Sequence, residues 1–353
     1  MQIIKAEVTP VEIRLSRPAR LAGLPPIERI TAVFVRLETR AGHNAWGCTV
    51  AHPHLTGESP EAVIRACRHC ADKVPDLNPL NMEYALAELA PVMAGSAAAS
   101  CAFDLAFYDL LGLAADMPLY RLLGGYRNRI QTSVTIPLAS VQESVEMAAG
   151  RARQGFRILK VKGGVDPDED VQRVRAIHRL LPNMTLRLDA DGGYTVEQAL
   201  EVARALRGEL EMLEQPTPAG ELDLLRQVTR NSPVPVLADQ SLAGPGSALE
   251  LASQRAVNGL SVKLVTCGGL HCARQVDAIA RAARIATMVG CTVEPALLIA
   301  AGLSLALSSS NVRYGDLDGH LDLLGDPTDA SFRLEEGWLV ASDVPGLGCT
   351  VSI

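Results

Sequence analysis

Aromatic residues are scarce in this chain, with five Phe, six Tyr and two Trp among 353 residues. Leu, Val, Ile and Ala must therefore fill the core, and an apolar content of 48% is enough for a large one. Positive charge is not in surplus either. Asp and Glu outnumber Lys and Arg to give a formal charge of −7, and no Lys/Arg-rich stripe appears, which excludes a nucleic-acid footprint. No apolar run approaches the roughly 20 residues of a bilayer span, so no membrane partner is expected. The opening Met1-Gln-Ile-Ile-Lys-Ala-Glu places charge too early for a secretory leader. A cytoplasmic location is the resulting expectation. The eight cysteines are scattered and read as thiols in a reducing compartment. Cys67 and Cys70 form one CxxC without a second pair, inside a helix-like stretch from Glu61 to Asp72. Two structural thiols one turn apart are favoured there over a zinc site.

What is present changes character along the chain. Residues 1–40 alternate like strands in Ile3–Val8 and Thr31–Leu37, joined by a Pro- and Gly-bearing segment, Ser16–Pro26, that predicts a hairpin with a long loop. Helical periodicity follows from Pro60 to about Gly112. Strands followed by helices predict a compact α+β unit. From about Gln131, short strand-like runs recur: Thr132–Ile136, Ile158–Lys162, Thr185–Ala190, Met212–Gln215, Val234–Asp239, Leu260–Leu264, Ala286–Cys291 and Val312–Asp318. Most gaps hold an amphipathic helical pattern, such as Glu197–Leu206 or Leu270–Ala283. Eight evenly spaced strand-and-helix units favour a closed (β/α) barrel over a doubly wound open sheet. The tail, Phe332–Ile353, is strand-like again and is expected to return to the first unit.

Barrel active sites form at the C-terminal ends of the strands. Strand two ends in Lys160-Val161-Lys162, strand three in Asp189-Ala190-Asp191, strand four at Glu214, strand five at Asp239 and strand six at Lys263. Period-two alternation puts Lys160 and Lys162 on one face of their strand, and Asp189 and Asp191 on one face of theirs. A single charged residue at a wet strand end means little. Five neighbouring strands ending Lys, Asp, Glu, Asp, Lys form a pattern that solvation alone does not explain. Crowded carboxylates repel one another and call for a hard cation, and oxygen ligands with open positions suit Mg²⁺. Lys162 and Lys263, on strands two and six, are expected on opposite sides of the mouth. A metal between them would bind a substrate carboxylate, and loss of the adjacent proton would give an enediolate stabilised by metal and lysines. A lysine base needs a pKa lowered toward neutrality, a role expected of Lys160 and the metal.

These residues resemble the enolase superfamily, and within it the muconate-lactonizing subgroup. The resemblance spans nearly the whole chain, through FDLAFYDLLG…MPLYRLLGG (Phe103–Gly125), LKVKGG, LDADGGY, LEQP, LADQS, SVKL…CGG and DLDG. The lysine base with Mg²⁺ is a general property of that superfamily. The resemblance implies a modified TIM barrel, (β/α)7β, with an N-terminal α+β capping domain. Its expected boundaries are 1–125 for the cap, 126–330 for the barrel and 331–353 for the returning segment. It implies Asp189, Glu214 and Asp239 as Mg²⁺ ligands, Lys162 and Lys263 as acid/base catalysts, and Lys160 as the residue that tunes Lys162 and contacts substrate. Family members usually carry Asn where this chain has Asp191 and Glu where it has Gln240. One change adds a negative charge beside the site and the other removes one, so the net charge is kept.

Finer features resemble dipeptide epimerases: Thr135 in SVTI, the stretch His54–Ser59, and Asp316-Leu317-Asp318 at strand eight. In that group the Asp-x-Asp pair grips the free ammonium of the dipeptide. Arg20 lies in the loop that closes over substrate, and Glu294 lies near the barrel mouth, to sense substrate or order a loop. His52 and His54 are the histidines with a route to the site, and no histidine cluster suggests a metal. The leading expectation is a Mg²⁺-dependent epimerase of a small carboxylate substrate, a dipeptide, possessing two lysine catalysts. Its rivals are a muconate-type cycloisomerase or an N-acylamino acid racemase or o-succinylbenzoate synthase-like enzyme of the same fold, and a barrel that binds a carboxylate without turning it over. A Schiff-base aldolase fits less well, since it needs one lysine and no carboxylate trio. Symmetric homo-oligomers are common in the family, so one is expected here.

Overall fold

The computed structural model describes residues 1–93 and 95–353. The chain opens with three antiparallel strands, β1 (Ile3–Ala19), β2 (Ile27–Thr39) and β3 (Asn44–Ala51), followed by helices α1 (Pro60–Lys73), α2 (Met82–Met93), α3 (Ala97–Ala114) and α4 (Leu119–Leu122). Strand β2 lies between the other two, and its Ile30–Val35 run is buried. The expected hairpin is present but longer-stranded: β1 runs on to Ala19, so only 20–26 form the connection. Its register shifts between Arg14 and Ala19, which lets β1 continue past Pro18. Cys67 and Cys70 are buried on the inner face of α1, and burial pushes the Cys70 thiol up to about 12.

Helix α3 carries small and apolar residues on all sides, and 13 of its 18 residues are buried. By length and composition it matches a minimal bilayer span, although the run was too short to register as one in the sequence. It lies 72% buried inside the protein and carries two aspartates that reach outward to other segments. Asp104 accepts the backbone N–H groups of Leu270 (2.5 Å) and His271 (3.2 Å), capping a barrel helix. Asp109 accepts those of Trp46 (2.8 Å) and Leu347 (2.7 Å). An acceptor side chain meeting the free N–H groups of a helix start satisfies donors that burial would leave costly.

After the short strand β4 (Arg129–Gln131) come the barrel strands. They are β5 (Val134–Ile136), β6 (Ile158–Lys162), β7 (Thr185–Asp189), β8 (Leu210–Glu214), β9 (Val236–Ala238), β10 (Gly259–Lys263), β11 (Ala286–Gly290) and β12 (Val312–Gly315). They pair in parallel and in sequence order. The curled sheet meets itself where Thr132 bridges Gly315 and the Ser133 N–H donates to the Gly315 carbonyl (3.1 Å). All eight runs read from the sequence are strands, but several stop early. The last ends at Gly315 rather than Asp318, the third at Asp189, and the sixth at Lys263, because Leu264 already opens α10 (Leu264–Cys267).

The surrounding helices are α5 (Val141–Arg153), α6 (Pro167–Leu180), α7 (Val196–Ala205), α8 (Leu222–Asn231), α9 (Pro245–Ser253), α11 (Leu270–Ala282) and α12 (Ala296–Ser308). Capping boxes at Ser140/Glu143 and Thr195/Gln198 start α5 and α7, and Asp166 with Pro167 starts α6. The tail supplies β13 (Leu323–Leu324), which pairs with β1, and β14 (Thr328–Ala330), β15 (Arg333–Glu335), β16 (Trp338–Val340) and β17 (Cys349–Val351). Strand β16 pairs with β4, and beyond it Gly346 and Leu347 reach α4 and α3.

Candidate active site

The last residues of β6, β7 and β8 are register neighbours: Lys162 pairs with Asp189, and Asp189 with Glu214. Parallel pairing therefore sets their side chains side by side at one end of the barrel. Asp239 follows β9 and Lys263 ends β10. Oxygens of Asp189, Glu214 and Asp239 all lie within 4.8 Å of one another. Lys162 Nζ donates to Asp189 (2.7 Å) and to both oxygens of Asp191 (2.9 Å each). Lys263 Nζ donates to Asp239 (2.6 Å). Lys160 Nζ donates to Asp316 and lies 3.6 Å from Asp189. With β6 and β10 four places apart in an eight-stranded sheet, Lys162 and Lys263 approach the trio from opposite sides.

Local sequence explains the placement. Gly290 sits beside Lys263 on β11, where an added Cβ would press on Ser261 Oγ at 2.9 Å while only touching the lysine stem. After β6, Gly164 adopts φ +94° against the Ala190 carbonyl, and its N–H donates to Asp170 (2.8 Å). Asp170 in turn accepts from Arg173 and Tyr194, which fixes the loop behind Lys162. Gln215 was not singled out in the sequence. Its Oε1 accepts the Asp239 (2.9 Å) and Ser241 (3.2 Å) N–H groups and so holds Asp239 in place.

Asp191 reaches the site by a different route from the one expected. It lies beyond the end of β7 with φ +46°, so strand alternation does not govern it. The left-handed turn swings its carboxylate onto Lys162, and Gln240 Nε2 donates to it (2.9 Å). Asp191 and Gln240, two positions where the chain departs from the usual family residues, therefore touch each other.

Burial and crowding set the charges. Glu214 is fully buried, neither of its oxygens has a hydrogen-bond partner among the described residues, and burial with Asp189 beside it pushes its carboxyl up to about 8. Burial would also raise Asp189, but Lys162 and Lys160 hold it well below the usual carboxylate range. Burial works to lower Lys162 and Lys263, yet Asp189 and Asp191 on one, and Asp239 on the other, hold both ammoniums raised. Lys160 does press the Lys162 pKa down as expected, and the carboxylates outweigh it. The residues fit a hard divalent cation. Carboxylates outnumber lysines, and a buried Glu214 with two unpartnered oxygens is costly unless a cation meets it.

At the end of β12, Ser133 Oγ donates to Asp316 (2.5 Å), so both Lys160 and Ser133 occupy Asp316. Asp318 accepts the Thr135 N–H (2.6 Å) on one oxygen and the Cys291 thiol (3.6 Å) on the other. Burial and Asp316 raise its carboxyl. Glu294 is buried and accepts from Thr292 N–H (3.0 Å) and Oγ1 (2.9 Å), an arrangement that orders its loop. Burial pushes it up to about 7. Arg20 is exposed after β1 and hydrogen-bonds none of the other site residues. His52 and His54 lie against each other, 5.7 Å between ring centres. Arg187 and Ser133 escaped the sequence reading. Arg187 shares the inward face of β7 with Asp189 and donates to Glu211 (2.7 Å), Ser133 (3.3 Å) and the Gly315 carbonyl (3.0 Å). A lone Arg two residues before a site Asp on a barrel strand was the available signal.

Barrel, cap and a carboxylate trio flanked by lysines define a two-domain, enolase-like class. Residues 3–124 match the mandelate racemase/muconate lactonizing enzyme N-terminal domain, and 143–352 the enolase C-terminal domain-like family. The chain belongs to the mandelate racemase/muconate lactonizing enzyme family. It is 36% identical to an L-Lys-D/L-Arg epimerase of Methylococcus capsulatus over 99% of both chains. It superimposes on a substrate-liganded L-Ala-D/L-Glu epimerase of Bacillus subtilis with a TM-score of 0.96, at 29% identity and complete coverage of both chains. A dipeptide epimerase of Enterococcus faecalis, complexed with Mg and L-Leu-L-Tyr, superimposes with a TM-score of 0.96 at 31% identity, over 99% of this chain and 100% of that one.

Proposed function

We propose that the protein is a Mg²⁺-dependent epimerase that removes and returns the α-proton of a dipeptide. The observation that carries this reading is the approach of Lys162 and Lys263 to one carboxylate trio from strands on opposite sides of the barrel. Relatives named L-Lys-D/L-Arg epimerase and hydrophobic dipeptide epimerase, each matched over 99% of this chain, support it. Asp189, Glu214 and Asp239 would hold the Mg²⁺. When bound, the ion supplies positive charge that stabilises the substrate's developing negative charge and brings the lysine pKa values toward neutrality.

One lysine, as the neutral amine, takes the α-proton from one face. The other, as ammonium, delivers a proton to the opposite face, and the configuration inverts. Lys160 contributes fixed positive charge from the same strand as Lys162. Asp318 receives the substrate ammonium, and Asp316, engaged by Lys160 and Ser133, supports it from behind. Thr135 holds Asp318 through its N–H, Asp191 and Gln240 steady Lys162, and Arg20 and Glu294 bear on substrate access. In this reading 1–125 form the cap, 126–330 the catalytic barrel and 331–353 the returning segment, in a cytoplasmic enzyme.

The test is incubation with a library of L,L-dipeptides and Mg²⁺ in D₂O. Deuterium is expected at one α-carbon, with epimerisation reduced by about 10²- to 10⁴-fold in Lys162→Ala and in Lys263→Ala. Turnover of N-succinylamino acids or muconate without any dipeptide exchange would overturn the dipeptide assignment. Failure to bind Mg²⁺ would overturn the mechanism.

A further inference from the structure

At the end of the barrel away from the lysines, the entry side of the strands borders a half-open cavity of about 500 Å³. Its walls include Ile158, the first residue of β6, and Glu211, the second of β8. Four residues of strand, about 13 Å at the usual rise, separate Ile158 from Lys162. The cavity is therefore distinct from the trio. Four arginines line it, Arg127, Arg129, Arg187 and Arg313, against the single carboxylate of Glu211. That carboxylate is already bonded by Arg187 at 2.7 Å. In a chain of net charge −7, such a concentration of unneutralised positive charge runs against the overall balance.

The three remaining arginines have donors to spare. Arg127 donates through Nη2 to the Ser309 (3.0 Å) and Val312 carbonyls, while its Nε is buried without a partner among the described residues. Burial lowers its guanidinium below the usual range, as happens to a cation with no counter-charge at hand. Arg129 lies over the Trp338 ring at 4.6 Å. Stacking fixes the plane of a guanidinium and leaves its N–H edge free for a planar or tetrahedral oxyanion. Among the described residues, neither Arg129 nor Arg313 forms an ion pair or donates a side-chain hydrogen bond.

An arginine cluster on an open surface would be a solvated face. Here the arginines, two of them exposed, border one half-open cavity rather than a flat surface, one buried donor has no partner among the described residues, and another side chain lies over an aromatic ring. We propose that this cavity is an anion site for a small phosphate-bearing molecule, held by Arg127, Arg129 and Arg313. Tetrahedral oxyanions match the guanidinium fork, and two or more phosphates suit three arginines better than one. This assignment is independent of the reaction at the other end of the barrel.

Calorimetric titration of the full-length, Mg²⁺-loaded protein with pyrophosphate and with inorganic phosphate tests it. One pyrophosphate per chain is expected, with a Kd below about 1 mM and tighter than phosphate. Arg129 and Arg313 are exposed, so the double variant Arg129→Gln/Arg313→Gln should fold, which circular dichroism and thermal melting would check. Pyrophosphate binding should weaken about tenfold or more in it, as loss of charge-assisted hydrogen bonds implies. Absence of saturable binding would overturn the proposal. So would binding that the double variant leaves unchanged, since the anion would then sit elsewhere, such as on the lysines or the metal. If the double variant does not fold, Arg313→Lys serves instead, with a smaller weakening expected and an unchanged Kd overturning the assignment.

Discussion

Replacing Glu214 by Gln should change the sign of its effect on stability when Mg²⁺ is added. In the metal-free protein the Glu214 carboxyl is raised to about 8 by burial and by Asp189. In the unfolded chain its value is near 4.3, and each unit of difference corresponds to about 1.4 kcal/mol. A raised folded value contributes stability that is fully present below pH about 4.3 and is lost as pH rises to about 8. The Gln variant has no such dependence. It should match the parent near pH 4.5 and become the more stable protein as pH rises, with a ceiling of roughly 5 kcal/mol at pH 8. Coupling of Glu214 to Asp189 and Lys160 reduces this to a few kcal/mol. At an unfolding entropy of about 2.1 cal/mol/K per residue, about 3 kcal/mol moves the melting temperature of a chain of this length by roughly 4 °C. With saturating Mg²⁺ the parent gains binding energy through Glu214 that the variant lacks, and the order should reverse. Scanning calorimetry at pH 5 and pH 8, in EDTA and in Mg²⁺, reads all four cases. A Gln variant that is less stable than the parent in EDTA at pH 8 would refute the idea of an unpartnered carboxylate kept for a cation.

Asp318→Asn should raise KM for dipeptides with a free amino terminus by roughly 10- to 100-fold, the worth of a charged hydrogen bond, with a smaller change in kcat. Steady-state kinetics with free and N-acetylated dipeptides checks it, and unchanged KM would remove the ammonium-binding role. Asp104→Ala strands the Leu270 and His271 N–H groups and should cost about 1–3 kcal/mol in denaturant unfolding. Gly164→Ala forces a Cβ toward the Ala190 carbonyl at φ +94°, and should destabilise by about 1–3 kcal/mol in the same assay.

Strand positions were legible because apolar runs and the charged residues that end them recur at the spacing a barrel needs. Lys162, Asp189 and Glu214 could be read as neighbours since parallel register follows from strand order. The ends of strands were less legible. Asp191 looks like the next inward residue of β7, and only the backbone reveals that a left-handed turn carries it to Lys162. Partners far apart in the chain left still less trace. Ser133 and Asp316 are separated by 183 residues, and Asp104 and Leu270 by 166. Nothing in local propensity marks an aspartate in α3 as the cap of a helix in the barrel.

The Asp109 carboxylate has a consequence for how the chain is made. Its partner at Leu347 lies 238 residues downstream. At about 5–20 residues per second, the ribosome needs roughly 10–50 seconds to supply that N–H after α3 has emerged. During this interval the first segment made carries an aspartate at a position destined to be buried, without one of its two donors. An ionised carboxylate in that state opposes early burial of α3, so final closure of the cap is expected to follow synthesis of the segment that carries Leu347.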